Sequence, residues 1–389
     1  MIKHGTSTGA RDSFRHMHIQ HHQLISPAIG TQRQITSFHY GTPGTGQKVY
    51  IQSSLHADEL PGMLVSWALR RKLADLEAAG KILGEIVIVP VSNPIGLNQQ
   101  WLGQMSGRFE SSSAQNFNRN FHDLTTLLAM PEVEARLTHD IDANRTAIRA
   151  LMGSALQQQR PQTELASQRL TLQLLSFDAD VVLDLHCDRE GAMHVYTNPE
   201  LWPEVEPLAR YIDAKASLLA ENSVGNPFDE INSFCWTELR KRYGDRFPIP
   251  LGSVSATVEL RGQKDVSYAY AEQDAQAILH YLTHRGVIDA PAVAMPPLAF
   301  PQTPLSGSES LLATVSGIVV FHVDFGEWIE AGTAVADIVD PLTDRVVTLS
   351  STVSGVLYAR HSSRFAPVGM EVALIAGKHP IRTGPLLSQ

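Results

Sequence analysis

The sequence predicts a layered α/β fold followed by a smaller all-β region. Between residues 45 and 285, apolar runs typical of buried strands alternate with amphipathic helical segments. A proline-rich segment then precedes residues 308–378, which hold only short apolar runs between Gly, Asp and Pro turns. A chain of 389 residues is also longer than one compact core usually needs. We therefore expect one large domain and one small domain.

Composition and charge exclude several classes of protein. The formal net charge is −9 and no basic stripe is present, which argues against a nucleic-acid partner. No apolar stretch reaches the ~18 residues of a transmembrane helix, and residues 1–23 lack the apolar core of a signal peptide. With only Cys187 and Cys235, a disulfide framework is not expected. We expect a cytoplasmic protein without a membrane partner.

The first 30 residues are polar and rich in histidine. Their histidines are His4, His16, His18, His21 and His22. We interpret residues 1–30 as a solvated arm or an edge strand, and an adventitious metal-binding tract is the less favoured alternative. We do not place these histidines in an active site.

The first strand-to-helix unit carries the motif on which the functional interpretation depends. Residues 46–55 are predicted to form a strand, and the polar turn after it contains His56 and Glu59. A helix is predicted over 60–79, with a proline in its first turn and a glycine after its end. A histidine and a carboxylate three residues apart at such a junction can bind one metal ion from the same side.

The following segments continue the alternation of strands and helices. A β-branched run at 85–92 fits a strand buried on both faces of a sheet. A long polar loop is expected at 96–121, where α/β enzymes often keep binding groups. Residues 122–178 have a mostly helical pattern, and the apolar run at 180–188 predicts a second buried strand with a histidine near its end.

Further strands and helices complete the predicted sheet. Strands are expected at 193–196, 216–220 and 254–260, and helices at 203–214, 230–242 and 269–284. We therefore divide the chain into a polar arm at 1–30, a catalytic domain at 31–289, a proline-rich linker at 290–307 and a β domain at 308–389.

Three side chains form a candidate set of metal ligands. His56 and Glu59 come from one turn and His186 from the end of a distant strand, which gives the three protein ligands of a hydrolytic zinc site. In a parallel sheet such strand ends lie along one edge, where active sites are found. Asp184 shares a strand face with His186 and could orient its ring. We expect one Zn²⁺ ion per chain.

A candidate base and anion-binding groups accompany the ligands. Glu259 ends an apolar strand, where a carboxylate can take a proton from water and return it to a leaving nitrogen. Arg108 and Arg119 lie in the long loop, and a guanidinium group can bind a carboxylate or an oxyanion. Asn118 adds an amide donor beside Arg119. Cys187 is interpreted as a buried small residue rather than a nucleophile.

Each of these residues also has a simpler structural interpretation. A lone histidine such as His186 can be a core residue, and Glu59 alone could stabilise the start of a helix. Glu259 could instead pair with Arg261, which shares its strand face, and Arg119 could form a surface ion pair. The presence of all these residues in this order favours the catalytic interpretation.

The order of the motifs resembles the succinylglutamate desuccinylase/aspartoacylase family of the zinc carboxypeptidase-like superfamily. The resemblance covers about residues 45–285 and rests on His-Ala-Asp-Glu at 56–59, Asn118-Arg119, Leu-Asp-Leu-His ending at His186, and Thr-Val-Glu-Leu-Arg-Gly around Glu259. It implies a zinc-carboxypeptidase-like three-layer α/β/α mixed sheet. It also implies that the three ligands bind zinc and that Glu259 is the general base and acid.

The resemblance also implies roles for the loop residues. Arg119, with Asn118 beside it, is expected to polarise the scissile carbonyl or to hold a substrate carboxylate. Arg108 falls near a further arginine of the family. Some family members also use a tyrosine, and three candidates stay open: Tyr196, Tyr243 and Tyr268.

The C-terminal region resembles the biotinyl/lipoyl-like barrel-sandwich domain of many family members. Two similar segments, 313–319 and 351–357, indicate two related halves. The turn at 340–345 lacks a lysine for a prosthetic group, so we expect no covalent biotin or lipoate there. We expect this domain to cap the site or to mediate oligomer contacts.

These features predict a zinc-dependent deacylase. Its substrate would be a small N-acyl amino acid or a related acylated amine, hydrolysed at a linear amide C–N bond. The alternatives are a metallocarboxypeptidase acting on peptides and a non-catalytic zinc-binding relative. The acyl group, the amine and the formation of a homo-oligomer stay open.

Overall fold

The protein's structure, a computed structural model, describes residues 18–221, 225–384 and 386. Its helices are α1 Pro61–Ala78, α2 Pro94–Leu97, α3 Leu124–Leu127, α4 Met130–Arg136, α5 Ile141–Gln157, α6 Glu164–Ser176, α7 Trp202–Tyr211, α8 Phe228–Tyr243 and α9 Tyr268–His284. Among these helices, none is long and apolar enough to cross a bilayer.

The strands fall into an N-terminal and a C-terminal group. The first group is β1 His18–Gln23, β2 Gln34–Gly41, β3 Lys48–Ser53, β4 Glu85–Val89, β5 Gln100–Trp101, β6 Gln104–Met105, β7 Val181–Asp188, β8 Glu190–Gly191, β9 His194–Thr197, β10 Ala216–Leu219, β11 Val254–Gly262 and β12 Thr303–Pro304. The second group is β13 Ser308–Leu312, β14 Gly317–Phe321, β15 Trp328–Ile329, β16 Ala334–Asp340, β17 Arg345–Ser350, β18 Gly355–Arg360, β19 Phe365–Ala366 and β20 Glu371–Gly377.

A mixed sheet of nine strands runs through the described residues in the order β1-β2-β4-β3-β7-β11-β9-β10-β12. Strands β4, β3, β7 and β11 are parallel to one another. Strands β2 and β9 run antiparallel to their neighbours β4 and β11. The carboxyl ends of β3, β7 and β11 therefore meet at one edge. The predicted α/β fold with a large mixed sheet is confirmed.

Helices cover both faces of this sheet. Along β3, Val49 and Ile51 belong to a hydrophobic cluster with α1, α7 and α9. Tyr50 points the other way and packs with residues of α6 and α8. Because both faces are covered, β4 and β7 need apolar side chains at successive positions, which explains their continuous hydrophobic runs.

One end of this sheet agrees with the edge-strand interpretation of the histidine-rich segment, and the other end differs from the sequence interpretation. Strand β1 pairs with β2 and places His18, His21 and His22 on an edge strand. His4 and His16 lie outside the described residues. At the opposite edge, β12 falls within the proline-rich segment and pairs in parallel with β10. Part of the predicted linker thus extends the sheet.

The C-terminal strands form two antiparallel sheets, β13-β20-β18-β15 and β17-β16-β14-β19. The two similar segments, 313–319 and 351–357, lead into β14 and β18, one in each sheet. Gly317 and Gly355 begin those strands, and an added Cβ would lie 2.4 and 2.3 Å from a backbone carbonyl oxygen. The repeated Ser-Gly therefore marks a close backbone approach in each half.

The short strand β8 joins the C-terminal strands to the end of β7. It pairs antiparallel with β18, with Gly191 opposite Ala359 and Glu190 opposite Arg360. Arg360 Nε and Arg364 donate to the same oxygen of Glu190 at 2.9 and 2.7 Å. This pairing places the C-terminal strands beside the carboxyl end of β7.

Gly252 packs on an aromatic ring just before β11 begins. Its φ is +61°, and an added Cβ would lie 2.0 Å from Cδ2 of Trp236. Gly286 also has a positive φ, +72°, but nothing lies within 4 Å of the position of a Cβ. Substitutions at these two glycines therefore distinguish the cost of backbone strain alone from the cost of strain combined with steric overlap.

We expect Gly252→Ala to lower the free energy of unfolding by about 2–4 kcal/mol, because overpacking adds to the strain of a positive φ. Gly286→Ala should cost only about 1 kcal/mol. Urea unfolding followed by tryptophan fluorescence measures both values. Equal losses would show that the contact with Trp236 does not constrain the chain before β11.

Candidate metal centre

The turn after β3 is shaped by its own backbone and by the loop beyond β4. Ser54 adopts a positive φ of 64°, and the N–H of Glu59 donates to the carbonyl of His56 at 3.1 Å. The N–H of Ala57 donates to the carbonyl of Gly107 at 3.0 Å. These bonds fix the position of the turn relative to the long loop.

The structure brings His56, Glu59 and His186 together at the edge of the sheet. One ligand atom of each lies within 4.8 Å of the others. The carboxylate of Glu59 lies between the two rings, with Oε1 2.9 Å from Nδ1 of His56 and Oε2 2.8 Å from Nδ1 of His186. Since the three residues are only 3–5% exposed, water does not screen their charges well.

The far nitrogen of each ring faces an acceptor. Nε2 of His56 is 2.9 Å from Oδ1 of Asn116, and the N–H of Asn118 donates to the same oxygen, which fixes the orientation of the amide. Nε2 of His186 is 2.9 Å from Oδ2 of Asp184. Because the Asn116 oxygen only accepts, Nε2 of His56 carries a proton. In both rings Nδ1 is the nitrogen directed at Glu59.

The arrangement fits a bound cation. Two Nδ1 atoms and a carboxylate within 3 Å require a positive charge between them, which a proton or a metal ion can supply. Burial opposes protonation of His186, but the charges of Asp184 and Glu59 raise its pKa well above the ordinary value. Burial would raise the pKa of Glu59, yet both histidines lower it overall. The donors and their outer partners suit a metal ion with His and Glu ligands.

The two loop arginines both reach the site. Arg108 places a guanidinium nitrogen 3.2 Å from Nδ1 of His56 and 3.6 Å from Oε1 of Glu59. Arg119 donates to the carbonyl of Asn118 at 2.7 Å, and burial lowers the pKa of Arg119. The side-chain oxygen of Asn118 accepts from the N–H of Phe228 at 2.8 Å, which ties the loop to the start of α8.

Glu259 lies between two histidines across the sheet. Its register partners are His186 on β7 and His194 on β9. Within the described part of the chain, its buried Oε2 has no hydrogen-bond partner. Burial raises the pKa of Glu259 well above the ordinary value, and the charges of Asp188 and Glu59 act in the same direction. Such a carboxyl group can exchange protons near neutral pH.

Arg261 does not pair with Glu259, although the two share a strand in sequence. Arg261 has a positive φ of 64°, and its guanidinium forms an ion pair with Asp274. It also lies 4.2 Å from the ring centroid of Tyr270. The structural alternative for Glu259, an ion pair with Arg261, is therefore wrong, because the register of β11 shifts between Glu259 and Gly262.

Asp188 and His194 were not assigned a role by the sequence. Their ligand atoms and one of Glu259 lie within 4.8 Å of one another. Nδ1 of His194 donates to the carbonyl of Ala192 at 2.8 Å, and Nε2 lies 3.4 Å from Oδ2 of Asp188. The sequence did contain a signal for a role of these two residues. Asp188 follows His186 by two positions, and His194 begins the next strand of the main sheet.

The three candidate tyrosines and Cys187 differ in their position relative to the ligands. Tyr196 lines the cavity beside the ligands. Tyr243 is buried elsewhere and donates to the carbonyl of Met130 at 3.1 Å, and Tyr268 is 70% exposed. Cys187 is buried, and burial raises the pKa of its thiol well above the ordinary value, which does not suit a nucleophile.

A cavity of about 440 Å³ opens beside the ligands. Its wall includes Arg108, Asn118, Arg119 and Glu259 from the large sheet and its loops. Tyr358, Glu371, Leu374, Arg382 and Leu386 line it from the C-terminal side. The C-terminal strands therefore form part of the wall of the candidate site.

A family model now adds to this geometry. The model described as the succinylglutamate desuccinylase/aspartoacylase catalytic domain matches residues 45–285, which is more than half of the chain. The chain belongs to this family. The match includes all the clustered ligands, Glu259 and the loop arginines, so the resemblance expected from the motifs is confirmed.

Several solved structures resemble the present chain over nearly its whole length. A family protein from Shewanella amazonensis SB2B is 25% identical with a TM-score of 0.82, covering 93% of this chain and 99% of that chain. One from Shewanella frigidimarina NCIMB 400 is 23% identical with a TM-score of 0.82, covering 93% and 97%. The ectoine utilization protein EutE (DoeB) from Ruegeria pomeroyi is 15% identical with a TM-score of 0.64, covering 93% and 96%. The last two likenesses show the fold alone. No match was found among curated proteins.

Protonation of His194 should destabilise the fold at acid pH. Burial lowers the pKa of His194 to about 4, whereas an unfolded histidine has a pKa of about 6.5. The unfolded state therefore binds more protons between these values, and stability present above pH 6.5 is lost as the pH falls through 4. Between pH 8 and pH 5 the expected loss is about 2 kcal/mol.

We expect His194→Phe to remove this part of the pH dependence, because phenylalanine cannot bind a proton. Urea unfolding at pH 8 and pH 5 measures the change for the native chain and the variant. His139→Phe, at an exposed histidine, is the matched control and should keep the native pH dependence. If both variants lost the same amount of unfolding free energy between pH 8 and pH 5, the burial of His194 would be excluded as the cause of the pH dependence.

Proposed function

We propose that this protein is a zinc-dependent deacylase that hydrolyses the amide bond of a small N-acyl amino acid or a related acylated amine. Its family consists of deacylases, which supports an amide hydrolase. The observation that carries the proposal is the buried cluster of His56, Glu59 and His186 beside Glu259 on one cavity wall.

The ligands of the proposed zinc ion are Nδ1 of His56, the carboxylate of Glu59 and Nδ1 of His186. When bound, Zn²⁺ would polarise water and the acyl carbonyl. Asn116 bonds to the far nitrogen of the His56 ring, and the Asp184 carboxylate lies 2.9 Å from that of His186, which supports the direction of both Nδ1 atoms. This support from outside the ligand set favours a site that is formed before the metal binds.

Glu259 is the proposed general base and acid. It would take a proton from the attacking water and return it to the departing nitrogen. Arg119 would donate to the acyl oxygen as negative charge develops there, or hold a substrate carboxylate. Arg108 and Asn118, on the same wall, would contribute further donors to the substrate.

The position of the C-terminal strands on the cavity wall favours small substrates over peptides. We propose that they form a biotinyl/lipoyl-like barrel-sandwich domain over residues 308–389, preceded by a linker at 290–307 and a catalytic domain at 31–289. Tyr358 and Leu374 of this region line the cavity, whose size suits a small molecule. A carboxypeptidase would need room for a longer chain, so this function is the less favoured one.

We expect Glu259→Gln to keep Zn²⁺ but to lower kcat roughly 10³-fold, because an amide cannot transfer the proton. Acetyl, succinyl and formyl amino acids assayed with zinc-loaded protein provide the test. Glu272→Gln, at a surface carboxylate paired with Lys72, should keep the native rate. A Glu259→Gln protein with full activity would remove Glu259 from this role, and a folded native protein unable to bind zinc would exclude the zinc site.

We expect Asp184→Asn to weaken Zn²⁺ binding about 10–100-fold, since it removes the carboxylate that orients His186. Competition with a chromogenic chelator measures the affinity. Asp180→Asn, which breaks an ion pair with Arg149 just before the same strand, controls for a general loss of stability. Equal losses of zinc affinity in the two variants would contradict the orienting role.

A further inference from the structure

His194 is a buried side chain that the proposed mechanism does not use. It is 0% exposed, and its ring lies edge-on to those of Tyr196 and Tyr358, with ring centroids 5.3 and 4.9 Å away. Its Nδ1 donates to the carbonyl of Ala192 at 2.8 Å. Because the proton of the neutral ring is on Nδ1, the ring presents a lone pair at Nε2.

This lone pair has no donor in the described part of the chain. Nε2 of His194 and Oε2 of Glu259 are both buried atoms without a hydrogen-bond partner there. A buried acceptor left without a donor costs about 1–3 kcal/mol. The two residues face each other across the adjacent strands β9 and β11. Two such acceptors side by side therefore indicate a common ligand.

The third group of this cluster is the carboxylate of Asp188. One ligand atom each of Asp188, His194 and Glu259 lies within 4.8 Å of the others. Oδ2 of Asp188 is 3.4 Å from Nε2 of His194. An ordinary hydrogen bond spans only ~2.7–3.2 Å, whereas two ligands of one tetrahedral zinc ion, each bound at ~2.1 Å, stand about 3.4 Å apart. The separation thus suits two ligands of one ion better than a shared proton.

Backbone hydrogen bonds and the cavity determine how an ion would meet this cluster. The N–H of Ala192, whose carbonyl accepts from His194, donates to the carbonyl of Tyr358 at 2.8 Å. The carbonyl of Asp188 accepts from the N–H of Gln263 at 2.8 Å. The strands therefore fix the ligands before an ion arrives. The side chain of Asp188 is 34% exposed and lines the cavity, which provides an entry path from solvent.

We propose that Asp188, His194 and Glu259 bind a second divalent cation, beside the ion held by the first ligand set. Imidazole nitrogen and carboxylate oxygen are ligands that suit Zn²⁺, and two carboxylates balance the charge of the ion. The second ion would inhibit hydrolysis, because it would occupy the carboxylate of Glu259 that takes the proton from water. The inhibition rests on the proposed deacylase function, whereas the binding does not.

The zinc content of the native chain and its variants tests the binding. After dialysis against buffered free Zn²⁺ that loads the second cluster, His194→Gln should hold one ion fewer than the native chain. The loss of a ligand should weaken this cluster at least about 100-fold, more than the loss of an outer partner does. Zinc bound by the histidines of the edge strand β1 is the same in both proteins and cancels in the comparison.

Two further variants keep this test decisive. Asp188→Asn changes a partly exposed side chain and should also hold one ion fewer, so the test does not depend on the folding of His194→Gln. His139→Gln, at an exposed histidine outside both clusters, should hold as much zinc as the native chain. Equal zinc content in all four proteins would overturn the second site.

The rate of hydrolysis in a zinc buffer tests the inhibition. The native rate should rise as the first cluster fills and then fall at least about tenfold as the second ion occupies Glu259. With each rate normalised to the maximum of that protein, His194→Gln should show the rise without the fall, and His139→Gln should follow the native curve. A native rate that stays high while the second ion is bound, or equal inhibition of His194→Gln, would overturn the inhibitory role.

The two measurements separate this inference from the deacylase function. Zinc content needs no substrate, so a second ion that depends on His194 and Asp188 supports the site even when no N-acyl substrate is hydrolysed. That result would overturn the proposed function alone. Full hydrolytic activity together with equal zinc content in the native chain and the variants would overturn the second site alone.

Discussion

The carboxylate of Glu59, held between the Nδ1 atoms of His56 and His186, is the interaction on which the candidate site depends. Three buried groups that all present lone pairs to one point are stable only with a cation among them. The surrounding structure directs them there, because Asn116 accepts from the far side of the His56 ring and the Asp184 carboxylate lies 2.9 Å from the far nitrogen of His186. Several buried polar residues therefore serve to orient the two imidazole rings.

The order of the strands explains how these residues meet. Strands β3, β7 and β11 are adjacent and parallel, so the turn after β3, His186 near the end of β7 and Glu259 on β11 lie at one edge. The antiparallel strand β9 brings His194 to the other side of Glu259. Long-range register, more than local sequence, sets the spacing between the ligands and the proposed base.

The C-terminal strands give the cavity its other wall. Pairing of β8 with β18 attaches them directly after the strand that carries His186. Side chains such as Tyr358 and Glu371 then face a site whose ligands are far away in sequence. The size and the charge of the cavity are thus joint properties of both parts of the chain.

The sequence by itself determined the order and type of most main elements of residues 45–285, because strands buried on both faces and amphipathic helices leave periodic apolar patterns. It also indicated His56 and Glu59, whose spacing is local, and His186 and Glu259, each near the end of an apolar run. It did not indicate β2, which lies in the main sheet. Only the tertiary structure showed which residues Asn116 and His194 contact, and that Arg261 pairs with Asp274. It alone also showed that the C-terminal strands form part of the wall of the cavity. These contacts depend on strand register and backbone twist, and neither leaves a local pattern in the sequence.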